Sequence, residues 1–197
     1  MYYRNEEDFK NSMLKLPCGH CAVCRKNKRK EMTVRLTNEI ESHEHSCFLT
    51  LTYKTEELPY VNQKTGEIKR YSELKKEMDS FFYTDEEYLK DWNPTLVKSD
   101  LQLFIKRLRK HLTSKVKKDD GRDYVESIRY FAVGEYGVKK SRPHWHVIIF
   151  GWIPSDLEVF CNRGQYNLYR SKQVEKCWTE GISIVGECNN SVAKYCA

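Results

Sequence analysis

The stretch Arg142-Pro143-His144-Trp145-His146-Val147-Ile148-Ile149-Phe150-Gly151 constrains this chain more than any other. After Pro143, aromatic and β-branched residues run to a closing glycine, which is the composition of a strand. Side chains alternate along a strand, so His144 and His146 share one face and Trp145 takes the other. Two imidazoles one repeat apart can hold one divalent ion. Upstream, Ser127 to Glu135 reads as a second strand, and Tyr136 to Arg142, rich in Gly and Lys, as the connecting loop. Folded as a hairpin, the pair brings Glu135 next to His144, and the candidate ligand set is Glu135, His144 and His146. Such His pairs are also common in strands that bind no metal, so the weight lies on the matching acid and on the rest of the chain.

Before the hairpin, Arg25 to Glu44 reads as a helix, with Met32, Leu36 and Ile40 on its core side. Arg25, Lys26, Lys28, Arg29 and Lys30 sit at its start, where positive charge opposes the helix dipole, which favours a phosphate-binding role. Cys47 to Tyr53 reads as a strand with Thr50 and Thr52 on one face. Tyr60 to Tyr71 reads as an inserted hairpin turning at Lys64-Thr65-Gly66-Glu67, and residues 72–97 are mixed. Ser99-Asp100-Leu101-Gln102 reads as a capping box opening a helix. Leu101, Phe104, Ile105, Leu108 and Leu112 form its apolar stripe, and Lys106, Arg107, Arg109 and Lys110 its basic face, continued by Lys115, Lys117 and Lys118. That face is either plainly solvated or a track for a nucleic-acid backbone. After the central hairpin, Ser155 to Cys161 and Ser171 to Trp178 read as short helices and Gly181 to Gly186 as a strand. Asn189 reads as the cap of a last helix. This order predicts an α+β protein: one domain over residues 1–197, an antiparallel sheet with flanking helices, a Cys-rich segment at 18–24 and an insertion at about 54–97.

The formal net charge of +6 suits a polyanionic partner. Met1 to Asp8 is polar and acidic, unlike a signal peptide, and no apolar run is long enough for a membrane span, so a cytoplasmic location is expected. With no export signal, the eight cysteines are expected to be reduced or metal-bound rather than paired. Cys18, Cys21 and Cys24 have the spacing of thiolates that grip one soft ion, with His20, His43, His45 or Cys47 as a fourth ligand. Without a second close Cys pair, the alternative is a reduced, cysteine-rich turn.

Five segments carry a family resemblance: Pro17-Cys-Gly-His-Cys-Ala-Val-Cys-Arg25, Phe48-Leu-Thr-Leu-Thr-Tyr53, Gly134-Glu-Tyr-Gly137, Arg142-Pro-His-Trp-His146 and Val192-Ala-Lys-Tyr195. In this order they resemble the HUH endonucleases, in particular the replication initiators of gokushovirus-type single-stranded DNA phages. The resemblance implies a ferredoxin-like or RRM-like sheet, Mg²⁺ or Mn²⁺ on Glu135, His144 and His146, and Tyr195 as nucleophile. It implies nicking and rejoining of single-stranded DNA at an origin through a 5′-phosphotyrosyl intermediate, in a bacterial cytoplasm and alongside host replication machinery. It also puts Thr50 and Thr52 near the scissile strand, with Lys106, Arg107, Arg109, Lys110, Lys139, Lys140, Arg142 and Lys194 as candidate DNA contacts. Some relatives carry a second tyrosine where this chain has Ser191. From the residues alone the donor set suits zinc as well. The alternatives are a relaxase or transposase with the same chemistry, and a non-catalytic, zinc-containing nucleic-acid-binding module.

Overall fold

The computed structural model describes residues 17–81, 83–113, 128–137, 141–163 and 166–197. The N-terminal arm, Lys115, Lys117, Lys118, Lys139 and Lys140 lie outside these residues. The described elements are α1 (Ala22–Glu41), β1 (Ser46–Tyr53), β2 (Pro59–Asn62), β3 (Ile68–Arg70), α2 (Tyr71–Phe81), α3 (Asp85–Tyr88), β4 (Trp92–Pro94), α4 (Lys98–Thr113), β5 (Arg129–Tyr136), β6 (Pro143–Phe150), β7 (Glu158–Arg163), β8 (Tyr166–Arg170), α5 (Lys172–Cys177), β9 (Gly181–Glu187) and α6 (Asn190–Cys196).

The main sheet is six-stranded, in the order β5-β6-β1-β9-β8-β7, and its pairings are antiparallel. Four of its strands make a β-α-β-β-α-β unit: β1, α4, β5, β6, α5, β9, with strand order β5-β6-β1-β9. This is the ferredoxin-like arrangement, widened beyond β9 by the β7–β8 hairpin.

Alternation sorts the strand residues onto two faces. Leu49, Leu51, Val147 and Ile149 meet Leu101, Phe104, Ile105, Leu108 and Leu112 of α4, joined by Val174 and Trp178 at α5. Phe104 and Leu108 are fully buried, each contributing roughly 2 kcal/mol of apolar burial. On the other face Phe48, Phe131, Val133, Ile148 and Phe150 pack against Met32, Leu36 and Ile40 of α1 and Ala193 and Cys196 of α6. The predicted stripes of both long helices are therefore core.

The insertion folds as a second, three-stranded sheet, β3-β2-β4, with its own cluster of Leu74, Met78 and Trp92. Its predicted turn is present: Gly66 adopts φ 74°, which glycine takes without steric cost, and Asn62 Oδ1 accepts from the Lys64 and Thr65 amides at 2.9 and 3.1 Å. A buried polar network ties this sheet to the main core. Asp100 accepts from the Tyr53 hydroxyl at 2.8 Å and from the Arg70 guanidinium at 2.7 Å. Burial pushes the Tyr53 phenol well above its ordinary pKa, so it remains a donor.

Three expectations are corrected. Ser155 to Cys161 is not a helix, because Val159 and its neighbours enter strand β7 and pair with β8, a strand absent from the sequence reading. α4 begins at Lys98, so Ser99 lies inside its first turn rather than capping it, and Asp100 is taken up by the Tyr53–Arg70 network. Trp92-Asn93-Pro94, within the stretch read as mixed, pairs with β2 as an edge strand.

Candidate active site

Cross-strand register assembles the site. Glu135 on β5 lies opposite His144 on β6. On β1, Thr52 lies opposite His144 and Thr50 opposite His146. Glu135 Oε2 is 3.2 Å from His146 Nε2 and 4.0 Å from His144 Nε2. Neighbouring groups aim both rings: His144 Nδ1 is 3.0 Å from the Arg142 carbonyl and His146 Nδ1 is 3.2 Å from Thr50 Oγ1. An Nδ1–H donating at each place leaves both Nε2 lone pairs facing Glu135. This is how outer partners orient imidazole ligands, and one ligand atom from each of the three residues falls within 4.8 Å of the others. The donor set and its geometry fit a divalent cation.

Behind the hairpin the backbone is close-packed. A Cβ on Gly134 would lie 2.3 Å from Leu96 Cδ1, so a side chain there would push Leu96 away and disturb the strand that carries Glu135. Arg142 reaches back to donate to the Tyr53 carbonyl at 2.6 Å, and its own carbonyl accepts from the Gly137 amide at 3.1 Å. Arg142 therefore braces the loop below His144.

Tyr195 enters from α6. Asn189 caps this helix as expected, accepting from the Ser191 and Val192 amides at 2.9 and 3.2 Å. Ala193 and Cys196 face the core, and Tyr195 projects over the cluster. Its hydroxyl donates to Glu135 Oε2 and lies 3.2 Å from His146 Nε2. The residue remains 57% exposed, so a substrate can reach it. Burial and the Glu135 carboxylate push the Tyr195 phenol up to about 12. The Tyr195 hydrogen bond, aided by the two imidazoles, holds the Glu135 carboxyl below its usual range. Burial, and after it His144, draws His146 down, which keeps its imidazole neutral and able to ligate.

Two neighbours of the cluster escape the sequence reading. Phe48 stacks on His146 at 5.2 Å and meets the Tyr195 ring edge-on at 6.5 Å. Its place on β1, two residues before Thr50, is the signal that could have found it. Beside Tyr195 opens an apolar cavity of about 260 Å³, lined by Phe48, Tyr166, Leu168, Val192 and Tyr195, with Asn167, Glu187 and Asn189 among its polar groups. It uses β8, the strand that local pattern does not reveal.

The other candidate residues divide sharply. Thr50 touches the cluster, and Thr52 shares its sheet face. Lys194 is exposed on α6 next to Tyr195, and Ser191 is exposed one turn before it. Lys106, Arg107, Arg109 and Lys110 belong to α4, which covers the opposite face of the sheet. Arg107 there donates to Thr179 at 2.9 Å, and Arg109 lies over the Tyr130 ring at 5.8 Å. Cys18, Cys21 and Cys24 gather into a second cluster at the start of α1, apart from His43 and Cys47. All eight cysteines are free thiols.

The sequence model of the family described as replication-associated protein ORF2 matches residues 46–197. The chain is 30% identical over 188 residues to replication-associated protein ORF4 of Chlamydia phage 1, covering 92% of this chain and 37% of that protein. It is 30% identical to replication-associated protein VP4 of Bdellovibrio phage phiMH2K over 182 residues, 92% of this chain and 46% of the relative. The same identity holds over 184 residues of replication-associated protein ORF2 of Spiroplasma virus 4, again 92% of this chain and 46% of the relative. The chain thus spans less than half the length of these relatives. No solved structure matches it. Among the described residues no helix is long and apolar enough to cross a membrane.

Proposed function

The chain belongs to the replication-associated protein ORF2 family, and from that premise we propose that it starts DNA replication by nicking single-stranded DNA at an origin through Tyr195. The observation that carries this reading is the meeting of the Tyr195 hydroxyl with Glu135 and His146, residues 60 and 49 positions away in the chain. A nucleic-acid-binding module has no need of an exposed phenol on a cluster of ligand-type side chains.

The reaction exchanges one phosphodiester for another. The Tyr195 oxygen bonds to phosphorus, the bond from phosphorus to the 3′ oxygen breaks, and the 3′ oxygen leaves with a proton as a free 3′-OH. The 5′ phosphate remains on Tyr195. Bond energy is conserved, so the step reverses to join ends and requires no nucleotide cofactor. The Tyr195 proton is directed at the Glu135 carboxylate, which accepts it as the new bond forms. With its phenol held near 12, Tyr195 is protonated at neutral pH, and its attack needs compensating positive charge. Glu135, His144 and His146 would hold that charge as Mg²⁺ or Mn²⁺, which when bound polarises the phosphate oxygens and offsets charge in the transition state. Thr50 and the Arg142 carbonyl keep the imidazoles aimed. The apolar cavity beside Tyr195 suits the base of a nucleotide next to the reacting phosphate, stacked among Phe48 and Tyr166. Ser191 stands one turn before Tyr195, so a single tyrosine serves both cleavage and joining. A bacterial cytoplasm and its replication proteins are the setting this function calls for.

The test is Tyr195→Phe with labelled origin-type single strand and Mn²⁺, resolved on a denaturing protein gel. The wild type is expected to form a labelled covalent adduct. The variant, lacking one oxygen, should bind DNA but neither cleave nor form the adduct. Cleavage by the variant at the wild-type rate would instead mean that water is the nucleophile.

A further inference from the structure

We propose that Cys18, Cys21 and Cys24 bind Zn²⁺, and that the ion fixes the projecting first half of α1 as a basic arm for single-stranded DNA phosphates. The metal half of this proposal stands on the cluster alone; the choice of DNA rests on the function proposed above.

Geometry is the first support. Three sulfurs each about 2.3 Å from one tetrahedral ion lie about 3.8 Å from one another. Cys18 Sγ and Cys24 Sγ are 3.8 Å apart, and all three sulfurs fall within 4.8 Å. A disulfide would hold two of them at about 2.05 Å and leave the third unused. Backbone amides are already aimed at the sulfurs: Cys21 N–H at Cys18 and Cys24 N–H at Cys21, both at 3.4 Å. Gly19, at φ 77°, makes the turn that permits this.

The second support is what α1 lacks. Residues 25–31 are all exposed, and contact with the core begins only at Met32. A helix start without packing frays, because its first turns fix backbone for few hydrogen bonds. Here the cations of the first turns repel one another and oppose the helix dipole. Three thiols that bind one Zn²⁺ release three protons, and the resulting centre has a net charge of −1. It would sit at the positive end of the helix, beside the cations it offsets. A water can complete the tetrahedral set, as at open zinc sites. With the helix start held, Arg25, Lys26 and Arg29, which line one shallow surface, face solvent together.

The experiment begins with metal analysis of the full chain purified without chelator. Cys21→Ser is expected to carry one zinc fewer per chain than the wild type, and His146→Ala to keep that zinc. Cobalt reconstitution of the wild type should show sulfur-to-metal charge-transfer bands that Cys21→Ser lacks. The second arm uses Arg25→Ala/Lys26→Ala/Arg29→Ala, which leaves the thiols intact. This variant should keep its zinc, and its salt dependence for single-stranded DNA should flatten by about 2 in log–log slope, at roughly 0.7 per lost phosphate contact. Zinc content unchanged in Cys21→Ser, or no zinc in the wild type, overturns the metal site. An unchanged slope in the triple variant overturns the arm. Because no readout here is cleavage, a failure of Tyr195 chemistry would leave these results standing.

Discussion

The two faces of the main sheet are built from the same strands and do opposite work. One face takes Leu49, Leu51, Tyr53, Trp145, Val147 and Ile149, and α4 and α5 close over it. The other takes Thr50, Thr52, His144 and His146, and beyond the reach of α1 and α6 it stays accessible. Adjacent residues thus have different duties: Trp145 is packed while its neighbours are aimed at Glu135, and Tyr53 is buried next to Thr52. The closed face also holds its one buried carboxylate among the described residues, Asp100, by pairing it with Tyr53 and Arg70. A charge on that face must be neutralised to be tolerated, whereas the charges of the open face are left able to meet a ligand. Rigidity behind the sheet is what keeps the reactive side chains in place in front of it.

The sharpest way to break this contrast is His146→Ala. On the open face it should abolish cleavage while single-stranded DNA affinity stays within several-fold, since affinity comes mainly from Lys and Arg contacts with phosphates. Cleavage assays and binding titrations on the folded variant check this. Complete loss of DNA binding would mean that the imidazole grips DNA directly.

Asp100→Ala should do the reverse. It strands the Arg70 guanidinium and removes the acceptor of the Tyr53 hydroxyl, at a cost of about 3 kcal/mol in stability by denaturant unfolding. The cleavage rate per folded molecule should change little. A fall in cleavage as large as that of His146→Ala would show that the two faces are mechanically coupled.

The smallest effect is expected from Lys106→Ala/Lys110→Ala, on the solvent side of α4. Its loss of single-stranded DNA affinity should be smaller than that of Lys194→Ala alone, because Lys194 stands beside Tyr195 whereas α4 covers the other face. The opposite ranking, read from binding at one fixed salt concentration, would extend the DNA path round the sheet.

How legible each part is depends on how local its cause is. The His144–His146 strand, its pairing with Glu135 and the core stripes of α1 and α4 follow from alternation and helical period, which neighbouring residues dictate. The thiol cluster is legible for the same reason, since its three ligands lie within one short loop. The segment from Ser155 to Cys161 misleads because a strand on the sheet's margin owes its conformation to its partner β8, and pairing overrides local preference. The Asp100 network joins β1, β3 and α4, and no spacing rule connects them.

By itself, then, the sequence determined the strand hairpin and its three ligand-type side chains, the helices' buried stripes and the thiol cluster, because each depends on contacts a few residues apart. Family resemblance singled out Tyr195 from thirteen tyrosines, but only the tertiary structure put its hydroxyl against Glu135 and His146. Only the tertiary structure, too, set the basic face of α4 behind the sheet and opened the cavity beside Tyr195. Which face of a sheet a helix covers is decided by the crossover between strands and by long-range packing, and neither is written in any local run of residues.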